Sequence, residues 1–387
     1  MSKRNKIAIY SGVSTSTTFI ERLISGLAQK KMIVYVFGLD NGRNQSSENI
    51  IYKTYSGRLS KLFVLLKYSI LLLIFKPKNK RQLDVLLKQK HYNTLYYKVK
   101  FYPVLYYKPD VFHLQWAKGI DDWMWVKAFG MKLVVSLRGA HINYSPLADK
   151  TLASIYNTYF PNVDAFHAVC EAISLEAQKY GAIRDNIKVV YSGVNLETFP
   201  EQPKTKNKVF KILSVGRPHW KKGYVYALDA FKLLKNHGLM FHYTIVGGKN
   251  NIELAYQIKD LELEQYVTLA KQLAFEDVVD QIQSSDLLLL PSLEEGIANV
   301  VLEAMALKTL VVSTYCGGMK EVITNEYNGF LVPIRDSEAI VMAIEKVMTL
   351  SDNEKETILN NAFETINNNH SETLMVDRML DLYTTLF

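Results

Sequence analysis

The feature that most constrains this chain is a repeated alternation. Short apolar runs of strand length are followed by segments with helical spacing, and the pattern is broken once, by the polar stretch PEQPKTKNK at 200–208. Such alternation predicts parallel sheets with helices on their faces, because parallel strands need long crossovers between them. Before the break, strands are expected at Lys6 to Tyr10, Met32 to Phe37, Asp110 to Leu114, Lys132 to Leu137, Asp164 to Val169 and Lys188 to Tyr191. Phe19 to Lys30 reads as an amphipathic helix, and Trp116 to Phe129 as a helix carrying Trp123 and Trp125. Ser174 reads as the cap of a helix that Gly181 ends. After the break the strands are Phe210 to Val215, Phe241 to Val246, Tyr266 to Leu269 and Leu287 to Leu290, with helices Tyr224 to Asn236, Ile252 to Leu261 and Asp277 to Ser284 between them. A chain of 387 residues exceeds what one core usually serves. Two α/β domains are therefore expected, 1–200 and 209–370, followed by a terminal helix over 371–387.

Charge separates the two halves. Residues 1–200 hold 28 Lys and Arg against 13 Asp and Glu, a balance of +15, while 201–387 hold 18 against 25, or −7. Residues 51–100 carry twelve basic side chains and one acid, Asp84, among tyrosines and aliphatics. That mixture suits an anionic membrane surface, and no nucleic-acid motif accompanies it. Leu59 to Phe75 is apolar almost all round, so it is expected either to be buried or to lie in an interface, with the basic, tyrosine-rich segment after it. No apolar run is long enough to span a bilayer, and MSKRNKIAIY leads into a strand without a signal-peptide core. Cys170 and Cys316 are too few for a disulfide framework, which points to a cytoplasmic setting.

The densest chemistry lies in Pro291 to Gly318, PSLEEGIANVVLEAMALKTLVVSTYCGG. Pro291-Ser292 stops a buried strand, Gly296 permits close backbone approach, and Val301, Leu302, Met305 and Ala306 follow helical spacing. Glu303 thus rides on a helix whose N-terminus, an anion-attracting feature, lies near Gly296. Arg217 and Lys222, in VGRPHWKKG, follow a strand and suit a diphosphate, with Lys221 an alternative to Lys222. Gly247-Gly248 and Gly317-Gly318 end two other strands at the same edge of the sheet. In the first half, Gly12 with Ser11, Ser14, Thr15 and Ser16 forms a polar loop after the first strand. It lacks G-x-G-x-x-G, and a plain turn is as good a reading as an acceptor or phosphate loop built on Gly12 and Ser14.

The run from ILSVGRPHWKKG through EGIANVVLEAMA to GGMKEVI and NGFLVP, about residues 209–340, resembles the retaining glycosyltransferases of family 4. PDVFHLQW, KLVVSLRG and KVVYSGVNLETF match more loosely. The resemblance implies the GT-B fold: two Rossmann-like, doubly wound domains facing across a cleft, with the C-terminal helix crossing back to the N-terminal domain. It implies a nucleotide-sugar donor site with Arg217 and Lys222 on the diphosphate, Glu303 on the ribose and Glu295 on the transferred sugar. Backbone from Leu269 to Lys271 would lie near the base, with Gly247, Gly296, Asn299 and Val300 completing the donor set.

One position departs from the family pattern. Arg138, in SLRGAH, stands where many members carry histidine, and His141 stands at a later acidic position. A guanidinium cannot act as a base, although it can bind phosphate or orient a sugar hydroxyl, and His141 is the alternative sugar contact. Glu295, His141 and Arg138 are the candidate catalytic residues. No Asp-x-Asp occurs, so no metal and no cofactor are expected. The function expected is retaining, metal-independent hexosyl transfer from a nucleoside-diphosphate sugar to a glycan acceptor. That acceptor would be lipid-linked, at the inner face of the plasma membrane, in surface-polysaccharide biosynthesis. The alternatives are a catalytically silent sugar-nucleotide-binding subunit, motivated by Arg138, and an epimerase or hydrolase of the same fold.

Overall fold

The structure, a computed structural model, describes residues 5–14, 16–42, 47–92, 94–199 and 208–387. Thr15 and residues 200–207 of the polar break lie outside the described residues. The chain divides into two compact units: Met1–Val169, Ile173–Val190 and Met375–Phe387 in unit 1, and Cys170–Ala172 with Tyr191–Leu374 in unit 2.

Unit 1 contains β1 (Lys6–Val13), β2 (Ile33–Leu39), β3 (Ile50–Tyr55), β4 (Val111–Leu114), β5 (Lys132–Leu137), β6 (Ala165–Ala168) and β7 (Ile187–Val189). They form one parallel sheet in the order β3-β2-β1-β4-β5-β6-β7. Ile20, Leu23, Ile24 and Leu27 of α1 (Thr18–Gln29) pack at helical spacing on Ile7, Ile9, Val34 and Val36. Met375, Val376, Met379 and Leu382 of the helix Glu372–Thr384 join the same core. Gly26 makes room for this, because a Cβ there would overlap Val376.

Unit 2 contains β8 (Phe210–Val215), β9 (Phe241–Val246), β10 (Val267–Ala270), β11 (Leu287–Leu290), β12 (Leu310–Thr314) and β13 (Phe330–Val332). They too are parallel, in the order β10-β9-β8-β11-β12-β13. The all-leucine strand β11 shows why no polar alternation is needed. Leu287 and Leu289 enter the core with the helices Tyr224–Asn236 and Ser337–Thr349, while Leu288 and Leu290 enter the core with the helix Asn299–Ala306. A sheet covered on both faces buries every side chain of its central strands.

Several local expectations are corrected. The segment from Trp116 to Phe129 is broken into a 3-10 turn, Ala117–Gly119, and two short helices, Ile120–Trp123 and Trp125–Ala128. Residues two apart on a continuous helix point to nearly opposite sides. The break lets Trp123 and Trp125 both bury, with ring centroids 4.8 and 5.3 Å from Phe101. Ser174 lies inside the helix Glu171–Gln178 and is no cap. β1 runs on through Ser11 to Val13, taking residues read as loop, and β3 was hidden by its mixed composition, IIYKTY. Three helices follow β3: α2 (Gly57–Phe75), α3 (Pro77–Gln89) and α4 (Leu95–Tyr107). Only Tyr68 and Leu72 of α2 are buried, so the buried-helix reading of Leu59 to Phe75 fails.

A buried polar chain ties the terminal helix into unit 1. Tyr383 Oη lies 2.7 Å from His113 Nδ1, and His113 Nε2 lies 2.8 Å from Ser136 Oγ. Ser136 Oγ is 2.9 Å from His167 Nδ1, and His167 Nε2 is 3.0 Å from the Val190 carbonyl. A carbonyl only accepts, so His167 carries its proton on Nε2 and its Nδ1 accepts the Ser136 hydrogen. Ser136 must then accept from His113 Nε2, and His113 Nδ1 accepts the Tyr383 hydroxyl. Burial first, then the charge of Arg138, pulls His167 down to about 3, and burial with His167 and Arg138 holds His113 well below its ordinary value. Both rings are neutral when folded.

The unfolded chain binds these protons near pH 6.5 and the folded chain does not. The chain's contribution is therefore complete above that pH and lost as pH falls, by ~1.4 kcal/mol per pH unit for each histidine. Urea titrations at several pH values below neutrality should show this slope. Tyr383→Phe at neutral pH should cost about 1–3 kcal/mol by leaving His113 Nδ1 without its donor.

Candidate functional site

In an open parallel sheet, loops diverge at the carboxyl edge where strand order reverses, and that point forms a crevice. In unit 2 the reversal lies between β8 and β11. The β8 loop carries Arg217, a 3-10 turn at Trp220–Lys222 and Gly223; the β11 loop carries Pro291 to Ala298. The two are joined directly, since the Leu293 amide donates to the Lys221 carbonyl at 2.6 Å. Gly223, at φ 63°, is needed twice over: the backbone is left-handed, and a Cβ would overlap the Pro291 carbonyl.

Glu295 is the centre of this contact. Its carboxylate is 2.6 Å from Lys222 Nζ and 3.4 Å from Lys221 Nζ, and it accepts from Ser292 Oγ at 3.2 Å. The residue is only 8% exposed. Burial alone would raise its pKa, but the two ammoniums outweigh burial and hold the carboxyl below the usual carboxylate range. The turn after β12 closes over it. A Cβ on Gly317 would overlap the Glu295 carbonyl, and the Gly318 amide donates to the Gly296 carbonyl at 2.8 Å. Gly296 is buried, with its carbonyl engaged in this turn.

The remaining donor-side candidates lie along the same carboxyl edge. Arg217 is exposed just beyond β8. Gly247, at φ 94°, ends β9, and its amide donates to the carbonyls of Ala270 and Lys271, at 3.1 and 3.3 Å. Leu269 is half-buried and Lys271 exposed. Asn299 and Val300 begin the helix Asn299–Ala306, whose N-cap, Ala298, has no side-chain acceptor for the first amides. Glu303 is half-buried one turn on, between buried Leu302 and Ala304. Lys222 and Glu295, expected on different parts of a ligand, are thus bonded to each other. Ser292 was missed, and Lys221 was only an alternative; the Lys-Lys pair is the signal, because a 3-10 turn brings both ammoniums to one carboxylate.

In unit 1, strand order reverses between β1 and β4, and Arg138 follows the adjacent β5. Its guanidinium stacks over Phe19 at 4.2 Å, and Nη2 donates to Gln115 Oε1 at 3.1 Å. Arg138 Nε, Gln115 Nε2 and His141 Nδ1 are buried and lack partners among the described residues. Burial pulls Arg138 down to about 9, which leaves it charged at neutral pH. Burial, followed by the charge of Lys118, pulls His141 down to about 4, so its ring is neutral and sits 5.2 Å from Trp116. Gln115 was not foreseen, because nothing in the sequence sets it apart. Gly12 has φ 91° and open space at its Cα. Ser14 is fully buried, and its hydroxyl donates to the Leu39 carbonyl at 3.1 Å, so it fastens the β1 loop to the end of β2 instead of facing a ligand.

Residues 196–365 match the family model described as glycosyl transferases group 1. The putative colanic acid biosynthesis glycosyltransferase WcaL of Escherichia coli (strain K12) is 30% identical over 207 residues, 51% of this chain and 51% of that protein. The chain spans about half the length of the curated relatives it matches. A glycosyltransferase structure from Rickettsia africae ESF-5 superposes with a TM-score of 0.74 at 18% identity, covering 99% of each chain. The Anabaena protein Alr3699/HepE in complex with UDP-glucose superposes with a TM-score of 0.72 at 17% identity, covering 98% of this chain and 99% of that one. Over residues 196–365 this chain is therefore similar to the glycosyl transferases group 1, and its two parallel-sheet, Rossmann-like units have the fold of solved GT-B glycosyltransferases.

Proposed function

We propose that this chain is a glycosyltransferase that moves a hexosyl group from a nucleoside-diphosphate sugar to a glycan acceptor, with retained configuration and without metal. The observation that carries the reading is the Glu295, Lys221 and Lys222 cluster at the switch point of unit 2, whose β8 loop also carries Arg217. Lys222 keeps ammonium hydrogens beyond the one directed at Glu295, and with Arg217 it would meet the diphosphate. Glu295, kept ionised, would accept from hydroxyls of the transferred sugar. Glu303 would take the ribose hydroxyls, and the first amides of the helix Asn299–Ala306 would add to the anion field. Backbone at Gly247, Gly296 and Leu269 to Lys271 would border the nucleotide. Retention rests on the motif resemblance, and metal independence on the absence of Asp-x-Asp together with these cations.

The acceptor hydroxyl oxygen would bond to the anomeric carbon as the bond from that carbon to the phosphate oxygen breaks. The bond electrons pass to the diphosphate, whose charge Arg217 and Lys222 offset, and the acceptor proton passes to the departing phosphate oxygen. Arg138, charged and stacked, would orient a sugar hydroxyl or a phosphate, with neutral His141 beside it and the Gly12 turn nearby in the sheet order. The +15 balance of residues 1–200 supports a lipid-linked acceptor at the cytoplasmic membrane face, and the likeness to WcaL supports a place in surface-polysaccharide biosynthesis. A catalytically silent binding subunit is the second reading, favoured by Arg138.

A panel of nucleoside-diphosphate sugars, screened by thermal shift and followed by mass analysis of acceptor products, tests the reading. Diphosphate release should require acceptor and persist in EDTA. Binding without any product would leave the silent subunit, and donor turnover without acceptor would point to a hydrolase or epimerase. Glu303→Ala should weaken donor binding roughly 10- to 100-fold by calorimetry. Lys222→Ala should lower turnover by roughly 10²–10³ at saturating donor. The Glu295 ion pair should contribute stability at pH above its ordinary 4.5 and lose it as pH falls through its depressed folded value. Glu295→Gln should abolish that acid-side loss in a denaturation series.

A further inference from the structure

We infer that α2, with the basic face of α3, is a docking surface for an anionic lipid bilayer. Of the eight large apolar side chains of α2 open to solvent, Phe75 (65%) ends the helix off the common face, and seven form a stripe: Leu59 84%, Leu62 52%, Phe63 65%, Leu66 54%, Ile70 55%, Leu73 58% and Ile74 64%. Their separations of three and four residues place them on one helical face, opposite the buried Tyr68 and Leu72. A water-exposed stripe of this length is not what a surface helix of a soluble monomer presents; it is the apolar half of an interfacial helix. No helix among the described residues is long and apolar enough to cross a membrane, so α2 would lie in the interface.

Charge selects the occupant. Exposed Arg58 and Lys67 border the stripe on its two sides, and Lys78, Arg81 and Lys88 are exposed on α3. Leu73, Pro77, Arg81, Val85 and Lys88 line one groove, so the stripe runs directly into these cations. Asp84, the one acid in residues 51–100, is already held by Lys80 at 2.8 Å and by the Tyr102 hydroxyl at 2.5 Å. Among the described residues, none of these five cations has an acidic partner. An apolar stripe edged by unpaired cations complements acyl chains beneath anionic headgroups. A second copy of this chain would bring the same positive charge to the contact and repel it. The inference is independent of what unit 2 binds.

The test uses the purified full chain and two sets of vesicles, phosphatidylcholine alone and phosphatidylcholine with about one-third phosphatidylglycerol. Co-sedimentation should be strong only with the anionic vesicles and should weaken as salt rises. Leu62→Ser combined with Leu66→Ser and Ile70→Ser should lose binding more than tenfold while keeping the wild-type melting curve. Arg81→Gln with Lys88→Gln should weaken it roughly fivefold per charge removed and flatten the salt dependence. Phe63→Trp should show blue-shifted emission and quenching by brominated acyl chains, which purely electrostatic adsorption would not produce. Equal binding to both vesicle types, or a dimer in sedimentation velocity that the serine variant dissolves while vesicles bind neither protein, would overturn the inference. Donor binding should be the same in all these variants, so failure here is separable from failure of the transferase reading.

Discussion

Unit 2 depends on one buried carboxylate. Glu295 sits where the β8 and β11 loops meet, and burying a charge there is tolerable only because Lys222 and Lys221 come with it. The glycines around it follow from the same crowding. Gly223 passes under the Pro291 carbonyl, Gly317 under the Glu295 carbonyl, and Gly318 bonds to Gly296. Three loops from three strands are thereby fixed to one another by contacts within unit 2.

Unit 1 uses the opposite device, a polar chain with no net charge. Tyr383, His113, Ser136 and His167 pass one hydrogen each toward the Val190 carbonyl, and their proton positions follow from that single acceptor. The terminal helix is therefore specified in unit 1 by direction as well as by apolar packing. Nearby Arg138 is the charged exception, stacked on Phe19 and bonded to an amide, with no carboxylate at hand among the described residues. Its charge is met only by the Phe19 ring face and the Gln115 amide oxygen, a thin compensation for a buried cation.

Much of the architecture could be read along the chain. β8, β9, β11 and the helix Tyr224–Asn236 fall where apolar runs and helical spacing put them, because parallel strands buried on both faces carry their pattern locally. The segment from Trp116 to Phe129 could not be read, since the two tryptophans it buries pack on Tyr10, Phe101 and Phe112, residues outside any local window. β3 was invisible for a related reason: an edge strand with lysine and tyrosine lacks a two-sided apolar signature.

The sequence alone determined the alternation, hence two parallel sheets, and it placed Arg217, Lys222, Glu295 and Glu303 after strand ends or at a helix start, where candidate site residues are looked for. Residue type and spacing suffice for that, because they set which faces must be buried and which groups can carry charge. Tertiary structure alone decided what these groups touch. It bonded Lys222 and Lys221 to Glu295, committed Ser14 to a neighbouring loop, fixed the histidine tautomers and left the apolar face of α2 in solvent. Each of these outcomes is a contact, or a missing contact, between residues far apart in the chain, and no local pattern encodes such distances.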